Sequence, residues 1–122
     1  MVDRTMERIE RPWGWYETLA TGDGYLVKRL WIAPDQRISL QRHSHRSEHW
    51  FVAFGEGLVT LNNQQLVAPL GSTFEVPKGA IHRAEAGREG MTIVEIQRGS
   101  KLIESDIERF ADDYGRCPTQ PG

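Results

Sequence analysis

Histidine and glutamate side chains that could bind a metal ion are concentrated in one short stretch of the chain. Three of the four histidines lie within seven residues, together with one glutamate. These residues are His43, His45, His49 and Glu48. The fourth histidine, His82, closely follows a Pro-x-Gly turn at residues 77–79. Because imidazole and carboxylate are common ligands of zinc, iron, manganese and nickel, and because the apolar residues 50–52 indicate a buried strand directly after the cluster, the pattern predicts a divalent metal site in a pocket.

The elements that must position these side chains are mostly short strands separated by turns. Apolar stretches, many of them alternating with polar residues, are bounded by Gly, Pro, Asn and Asp. About nine strands are predicted, at residues 13–19, 25–33, 38–43, 49–54, 58–61, 65–67, 72–76, 81–85 and 91–97. Since strands and helices do not alternate along the chain, an all-β barrel or sandwich is expected and a doubly wound fold is not.

One helix is predicted, near the C-terminus. Ser105 and Glu108 form the Ser-x-x-Glu pattern of a capping box, in which each side chain bonds the backbone amide of the other residue. A short helix through Phe110 is therefore expected after the last strand.

Composition and charge leave few other classes of protein open. The chain has 122 residues, 26% of them charged, and a formal net charge of −2, which is ordinary for one globular domain. Nothing in this balance points to nucleic acid or to an anionic membrane surface, and no apolar run approaches the ~20 residues of a membrane helix. Cys117 is the only cysteine, and residues 1–13 lack the apolar core of a signal peptide. A cytoplasmic protein is expected.

Two stretches resemble the sequence motifs of the cupin family. The second cupin motif is Gly-x5-Pro-x-Gly-x2-His-x3-Asn. It is matched at Gly71, Pro77, Gly79 and His82, with Ala86 in place of the closing asparagine. The resemblance implies an all-β, single-domain cupin, a jelly-roll barrel or double-stranded β-helix, here with the short C-terminal helix.

The first cupin motif, Gly-x5-His-x-His-x3–4-Glu-x6-Gly, can be aligned in two ways. If His43 and His45 are the His-x-His pair, the gap to Glu48 is shorter than in the family. If Gln41 and His43 take those places, Glu48 and Gly55 both follow at the family spacing. The second alignment satisfies more of the motif and implies the metal ligands Gln41, His43, Glu48 and His82. Zn²⁺ is the first choice of metal, with Fe, Mn, Ni and Co as alternatives.

Strand geometry keeps His45 open as part of the metal site. Alternate residues of a strand share a face, so Gln41, His43 and His45 could all point inward if the strand runs that far. His45 is then either a ligand in place of Gln41 or a residue beside the metal.

Nearly the whole chain, from about Arg11 to Arg116, resembles type II phosphomannose isomerase, a domain often fused behind a mannose-1-phosphate guanylyltransferase. The similar segments are residues 11–14, 27–29, 39–50, 77–83, 95–99 and 106–116. This extent implies a cupin domain at 11–116, an N-terminal extension at 1–10 and a disordered tail at 117–122. The resemblance implies that the chain interconverts mannose 6-phosphate and fructose 6-phosphate through an enediol, so its expected partner is a small sugar phosphate.

The implied reaction needs a Lewis acid, a base and ligands for the phosphate. A divalent metal would stabilise the enediolate oxygens, and a base would move the proton between C2 and C1. His45 is the first choice for the base because imidazole titrates near neutrality, with Lys28 and Glu75 as alternatives on neighbouring strands. Seven cations could bind phosphate: Arg29, Arg37, Arg83, Arg98, Lys101, Arg109 and Arg116. Arg109 and Arg116 are preferred because they match family positions.

Large apolar residues raise the question of sugar stacking and of self-association. The four tryptophans could stack on a sugar or pack in the core or an interface. They are Trp13, Trp15, Trp31 and Trp50. Small cupins commonly dimerise by sheet packing, which implies a homodimer. Alternation predicts that Ile38 and Leu40 face away from the metal ligands, where they could fill the interface.

Two other functions are compatible with the same residues. A non-catalytic cupin that binds a sugar or sugar nucleotide would have an incomplete ligand set. A metal-dependent oxygenase, which can hold Fe(II) with two histidines and one carboxylate, would have an apolar pocket. Guanylyltransferase activity is not expected of these 122 residues, which contain no Gly-rich nucleotide-binding segment.

Overall fold

The computed structural model describes residues 7–116, which form nine strands and no helix. The strands are β1 (Arg8–Arg11), β2 (Gly14–Gly22), β3 (Tyr25–Ile32), β4 (Leu40–Arg42), β5 (Ser47–Leu61), β6 (Gln64–Ala68), β7 (Thr73–Val76), β8 (His82–Arg98) and β9 (Glu108–Ala111). Neighbouring strands pair in the order β1-β2-β3-β8-β4-β9, and β5 pairs with β6, β7 and β8. The all-β prediction is confirmed.

The long strands β5 and β8 connect the two parts of this curled sheet. Over residues 91–98, β8 lies between β3 and β5. At its other end, where His82 pairs with both Gln41 and Leu61, β8 lies between β4 and β5. Both strands therefore bend, and the register of β5 against β8 shifts between Val52 and Gly57.

Backbone conformation explains the residues at the two glycine positions of the first cupin motif. One position lies in this bend and the other in the turn before β4. Gly55 has a φ of +72°, and a Cβ atom there would lie 2.0 Å from the carbonyl oxygen of Gly90. Asp35, which stands where the motif opens with glycine, has a φ of +61°. That left-handed conformation is open to glycine and, among other residues, is most accessible to Asn and Asp. The aspartate therefore preserves the turn.

The core lies inside the curled sheet. The inward-facing residues of β5 and β8 continue from this core into a cluster of polar side chains. Along β5, residues 48, 50 and 52 are buried while 49, 51 and 53 are exposed. Along β8, residues 91, 93, 95 and 97 are buried. One end of each inward face is apolar, with Val52 and Ile93 fully buried, and the other end carries Glu48 and Glu95. The same periodicity thus builds both the core and the polar cluster beside it.

The predicted C-terminal helix is wrong. Residues 108–111 form β9, which pairs antiparallel with β4. The Asp106 carboxylate accepts hydrogen bonds from the backbone amides of Ser44 and His45, at 2.9 Å each, and so joins a distant loop. These long-range contacts replace the local capping box. The segment can pair with the edge strand β4, and its aspartate can bond the backbone amides of Ser44 and His45.

The face assigned to Ile38 also differs from the prediction. Ile38 is only 4% exposed and belongs to the core, and Leu40 is half-buried. The reason is that β4 starts only at Leu40, so Ile38 lies before the strand and does not follow its alternation. The predicted homodimer stays a prediction.

The first strand begins before the predicted domain start, at Arg8, and the predicted bounds at 11–116 stay a prediction. β1 begins at Arg8 and pairs with β2, so part of the segment predicted as an N-terminal extension belongs to the sheet. The predicted disordered tail at 117–122, including Cys117, lies outside the described residues. Within residues 7–116, no helix is long and apolar enough to cross a membrane.

Candidate metal centre

Three of the predicted metal ligands lie together in the interior. His43 follows β4, Glu48 lies near the start of β5, and His82 is the first residue of β8. One ligand atom from each lies within 4.8 Å of the others, and the three residues are 1–3% exposed. Two imidazoles and one carboxylate at this separation could hold a divalent metal ion.

The hydrogen bonds of both imidazoles leave the Nε2 atoms for the metal. His43 Nδ1 lies 2.7 Å from the Asp106 carbonyl oxygen, and His82 Nδ1 lies 2.9 Å from that of Ala80. A carbonyl only accepts, so each ring carries its proton on Nδ1 and directs the lone pair of Nε2 into the site. Among the described residues, the buried His82 Nε2 has no hydrogen-bond partner. A bound metal would satisfy this atom.

The charge state of the histidines also fits metal binding. Burial lowers the pKa of His82 below its ordinary value. Burial, followed by the nearby Arg46 guanidinium, lowers the pKa of His43 to about 4. Both rings are therefore neutral at physiological pH, which is the form that coordinates a metal.

Arg46 is the cation that compensates the buried carboxylate of this cluster. Its Nε lies 2.8 Å from Glu48 Oε2, and its Nη2 lies 3.2 Å from His43 Nε2. Both Arg46 and Glu48 are buried, at 7% and 1% side-chain exposure. A metal bound to His43 Nε2 would replace the contact of that atom with the guanidinium.

The two remaining ligand candidates lie in different surroundings. Gln41 lines the cavity beside the cluster, and its side-chain amide donates to Ser39 Oγ at 3.0 Å and to the Ser39 carbonyl oxygen at 3.1 Å. His45 is exposed and does not line the cavity. The chain turns after β4 ends at Arg42, so the strand alternation does not extend to residue 45. The structure therefore does not support His45 as a ligand or as the base.

The cluster forms the floor of a cavity of about 550 Å³, counting its open mouth. Five cationic side chains line it: Arg11, Lys28, Arg46, Arg109 and Arg116. Three carboxylates also line it: Glu48, Glu95 and Glu104. The excess of cations suits an anionic ligand.

The seven cations proposed for phosphate binding fall into two groups, those that line the cavity and those that do not. Arg109 and Arg116 line the cavity, whereas the other five candidates do not. Arg29, for example, bonds Glu17 on the neighbouring strand at 2.6 Å, and Arg37 bonds Asp113. Arg11 lines the cavity and was missing from the predicted set.

Lys28 lies in the cavity, as its selection as a candidate catalytic residue requires. It is 5% exposed, and its Nζ forms an ion pair with Glu104 and lies 4.2 Å from the ring centroid of Tyr16. Glu75, the other alternative base, points away from the cavity and has a 71% exposed side chain 3.8 Å from His49.

Sequence reasoning missed several residues of the cavity, among them Tyr16, Arg46, Glu95 and Glu104. Glu95 has the same strand parity as the buried Met91 and Ile93, but Val94 and Ile96 make the opposite face apolar as well, so the sequence pattern did not indicate which face is buried. Glu104 had no strand parity, because it lies in a loop.

The fold is shared with several solved structures, cupins among them. An RmlC-like cupin from Shewanella frigidimarina superposes with a TM-score of 0.72 at 17% identity, over 86% of this chain and 92% of the other. The capsular polysaccharide assembling protein CapF from Staphylococcus aureus gives 0.72 at 15% identity, over 87% of this chain and 32% of the other. Fold and site together define a cupin with a candidate metal centre.

The family within the cupins follows from sequence. The chain belongs to the mannose-6-phosphate isomerase C-terminal family, whose sequence model matches residues 2–112. It is 39% identical over 114 residues to a mannose-1-phosphate guanylyltransferase of Escherichia coli. The aligned region covers 93% of this chain and 24% of that protein. It is also 39% identical over 109 residues to the alginate biosynthesis protein AlgA of Pseudomonas aeruginosa, covering 88% and 23%. The chain spans about a quarter of the length of these relatives.

Proposed function

We propose that this domain is a metal-dependent isomerase that interconverts mannose 6-phosphate and fructose 6-phosphate through an enediol. The observation that carries the proposal is the buried cluster of His43, Glu48 and His82, with both Nε2 atoms directed into a cation-lined cavity. Membership of the mannose-6-phosphate isomerase C-terminal family supports the same reaction.

The proposed metal is Zn²⁺, held by His43, Glu48 and His82, with the Gln41 side-chain oxygen as the fourth ligand. When bound, the metal supplies a Lewis acid that stabilises negative charge on the oxygens of the enediolate. The Asp106 and Ala80 carbonyls hold the two imidazoles in the required tautomer.

The phosphate is proposed to bind at the arginines of the cavity. Arg109 lies on β9, next to Gln41 in the register of the sheet, so a phosphate there would lie on the same side of the cavity as a metal ligand. Arg116 has its guanidinium fixed by two hydrogen bonds to Asp112, at 2.8 and 3.0 Å. Preorganised guanidinium groups are well suited to a dianionic phosphate.

The two competing functions have less support. An oxygenase was expected to have an apolar pocket, and this cavity carries both cations and carboxylates. A non-catalytic module was expected to lack part of the ligand set, and the three strongest ligands lie within 4.8 Å of one another.

Metal analysis coupled to an isomerase assay tests the proposal. The purified protein is expected to hold about one Zn²⁺ per chain and to interconvert the two hexose phosphates. Dialysis against a chelator is expected to abolish turnover, and added Zn²⁺ to restore it, because the enediolate loses its Lewis acid. A metal-loaded protein that turns over no hexose phosphate would contradict the isomerase. A protein that takes up no metal would contradict the site.

Replacement of Arg109 by methionine tests the phosphate site. The KM for mannose 6-phosphate is expected to rise roughly 10- to 100-fold, the equivalent of about 1.5–3 kcal/mol for one hydrogen bond to a charged group. Steady-state kinetics at fixed Zn²⁺ measure the change. Arg88→Met, at an exposed position outside the cavity, is the matched control and should leave KM unchanged. Equal KM values in both variants would show that Arg109 does not bind the phosphate.

A further inference from the structure

The buried carboxylate of Glu95 has surroundings unlike those of the other carboxylates in the cavity. Glu95 lies on β8, where the register places it between Lys28 of β3 and Trp50 of β5. It is only 4% exposed, yet it lines the cavity. Its Oε1 accepts a hydrogen bond from Trp50 Nε1 at 3.1 Å, and its Oε2 accepts one from Gln97 Nε2 at 2.7 Å. Both donors are uncharged.

The other two cavity carboxylates are each neutralised by a cation in contact. Glu48 is bonded by Arg46 at 2.8 Å, and Glu104 forms an ion pair with Lys28. A carboxylate in contact with a cation is a weak base, because taking up a proton costs it the ion pair. Glu95 is the cavity carboxylate whose hydrogen bonds, within residues 7–116, come from neutral groups. Its basicity is therefore retained.

Trp50 also relates Glu95 to the metal cluster. The same indole Nε1 donates to Glu48 Oε1 at 2.9 Å and to Glu95 Oε1 at 3.1 Å. Glu95 is thus held one hydrogen-bond donor away from a metal ligand. A sugar whose C1 and C2 oxygens approach the cluster would bring its carbon atoms near this carboxylate.

We propose that Glu95 is the group that carries the proton between C2 and C1 of the open-chain sugar phosphate. The inference rests on the proposed isomerase function and assigns the base of that reaction. The Glu95 carboxylate takes the proton from C2, the C–H electron pair forms the C1–C2 double bond, and the carbonyl electron pair moves to O1. O2 passes its proton to O1. The Glu95 carboxylic acid then returns the proton to C1 as O2 forms the new carbonyl.

Electrostatics agree with this assignment. Burial, with the nearby Glu48 charge second, raises the pKa of Glu95 to about 7, against the opposing effects of Lys28 and Arg46. A base that shuttles protons works best when its pKa lies near the operating pH.

Glu95→Gln tests the proposal, because glutamine can still accept the indole hydrogen bond but cannot take up a proton. We expect roughly a 10²- to 10⁴-fold loss of isomerase turnover, and an equal loss of exchange of the C2 hydrogen with deuterated solvent, followed by NMR. Zn²⁺ content and the affinity for mannose 6-phosphate, measured by calorimetry, are expected to stay within a few-fold of wild type. Glu89→Gln, the same change at an exposed position of β8 outside the cavity, should leave both rates unchanged.

The outcomes separate the inference from the proposed function. If wild type turns over mannose 6-phosphate and Glu95→Gln keeps more than a tenth of the exchange rate, Glu95 is not the proton carrier. If wild type itself is inactive with metal bound, the isomerase function fails. If Glu95→Gln does not fold, Glu95→Asp keeps the charge but withdraws the carboxylate by one methylene. Its exchange rate should then fall at least 10-fold with Zn²⁺ binding intact, and a wild-type rate would overturn the proposal.

Discussion

His82→Ala is expected to abolish metal binding and, with it, detectable isomerase turnover. The substitution removes an imidazole whose Nε2 is buried without a hydrogen-bond partner among the described residues, so no neighbouring side chain replaces the lost ligand. Zinc affinity is expected to fall by at least ~10²-fold, because loss of a ligand should exceed the 10- to 100-fold effects seen when only a partner of a ligand is removed. Calorimetric titration with Zn²⁺ and the isomerase assay measure the two losses.

The matched control for His82→Ala is His49→Ala. His49 lies on β5 next to Glu48 but points outward, with a 49% exposed side chain. This variant should bind Zn²⁺ and turn over substrate like wild type. Because the His82 ring packs at 5.5 Å from that of Trp50, thermal unfolding of metal-free His82→Ala is needed as well. A folded His82→Ala protein that keeps wild-type zinc affinity would exclude this residue from the site.

Glu48→Ala is expected to destabilise the metal-free protein by about 3–5 kcal/mol, the usual cost of removing one partner of a buried ion pair. Arg46 would be left 7% exposed without its carboxylate, and Trp50 Nε1 would lose an acceptor. Urea unfolding in the presence of a chelator measures the free energy. The chelator matters because a bound metal would add its own stabilisation of the folded state.

A double-mutant cycle separates the ion pair from the packing. Glu48→Leu combined with Arg46→Met replaces the pair by apolar side chains of similar size, which is often close to neutral in buried sites. The double variant is therefore expected to be more stable than Glu48→Leu alone, with a coupling energy of about 2 kcal/mol. Additive effects, with a coupling near zero, would show that Arg46 does not compensate Glu48 in the absence of metal.

The sequence by itself determined the class of fold and pointed to the three residues of the candidate metal centre, His43, Glu48 and His82. The apolar residues that follow the histidine cluster predicted a buried strand at 49–54, and the structure has Trp50 and Val52 buried on β5. The spacing of Gly71, Pro77, Gly79 and His82 identified the second motif, and membership of the family confirms that resemblance. These features depend on residues close in the chain, where backbone geometry alone sets which side chains share a face.

Only the tertiary structure decided which residues that are distant in the sequence contact the cluster of candidate metal ligands. Asp106 hydrogen-bonds His43, Ser44 and His45, which lie in a loop more than sixty residues away in the sequence. The segment that was predicted to begin a helix is therefore part of the site. The turn of the chain after β4 places His45 outside the cavity. The register of the sheet places Glu95 between Lys28 and Trp50. The physical reason is that strand pairing and loop contacts are chosen by competition among distant backbone and side-chain partners, which spacing along one strand does not record.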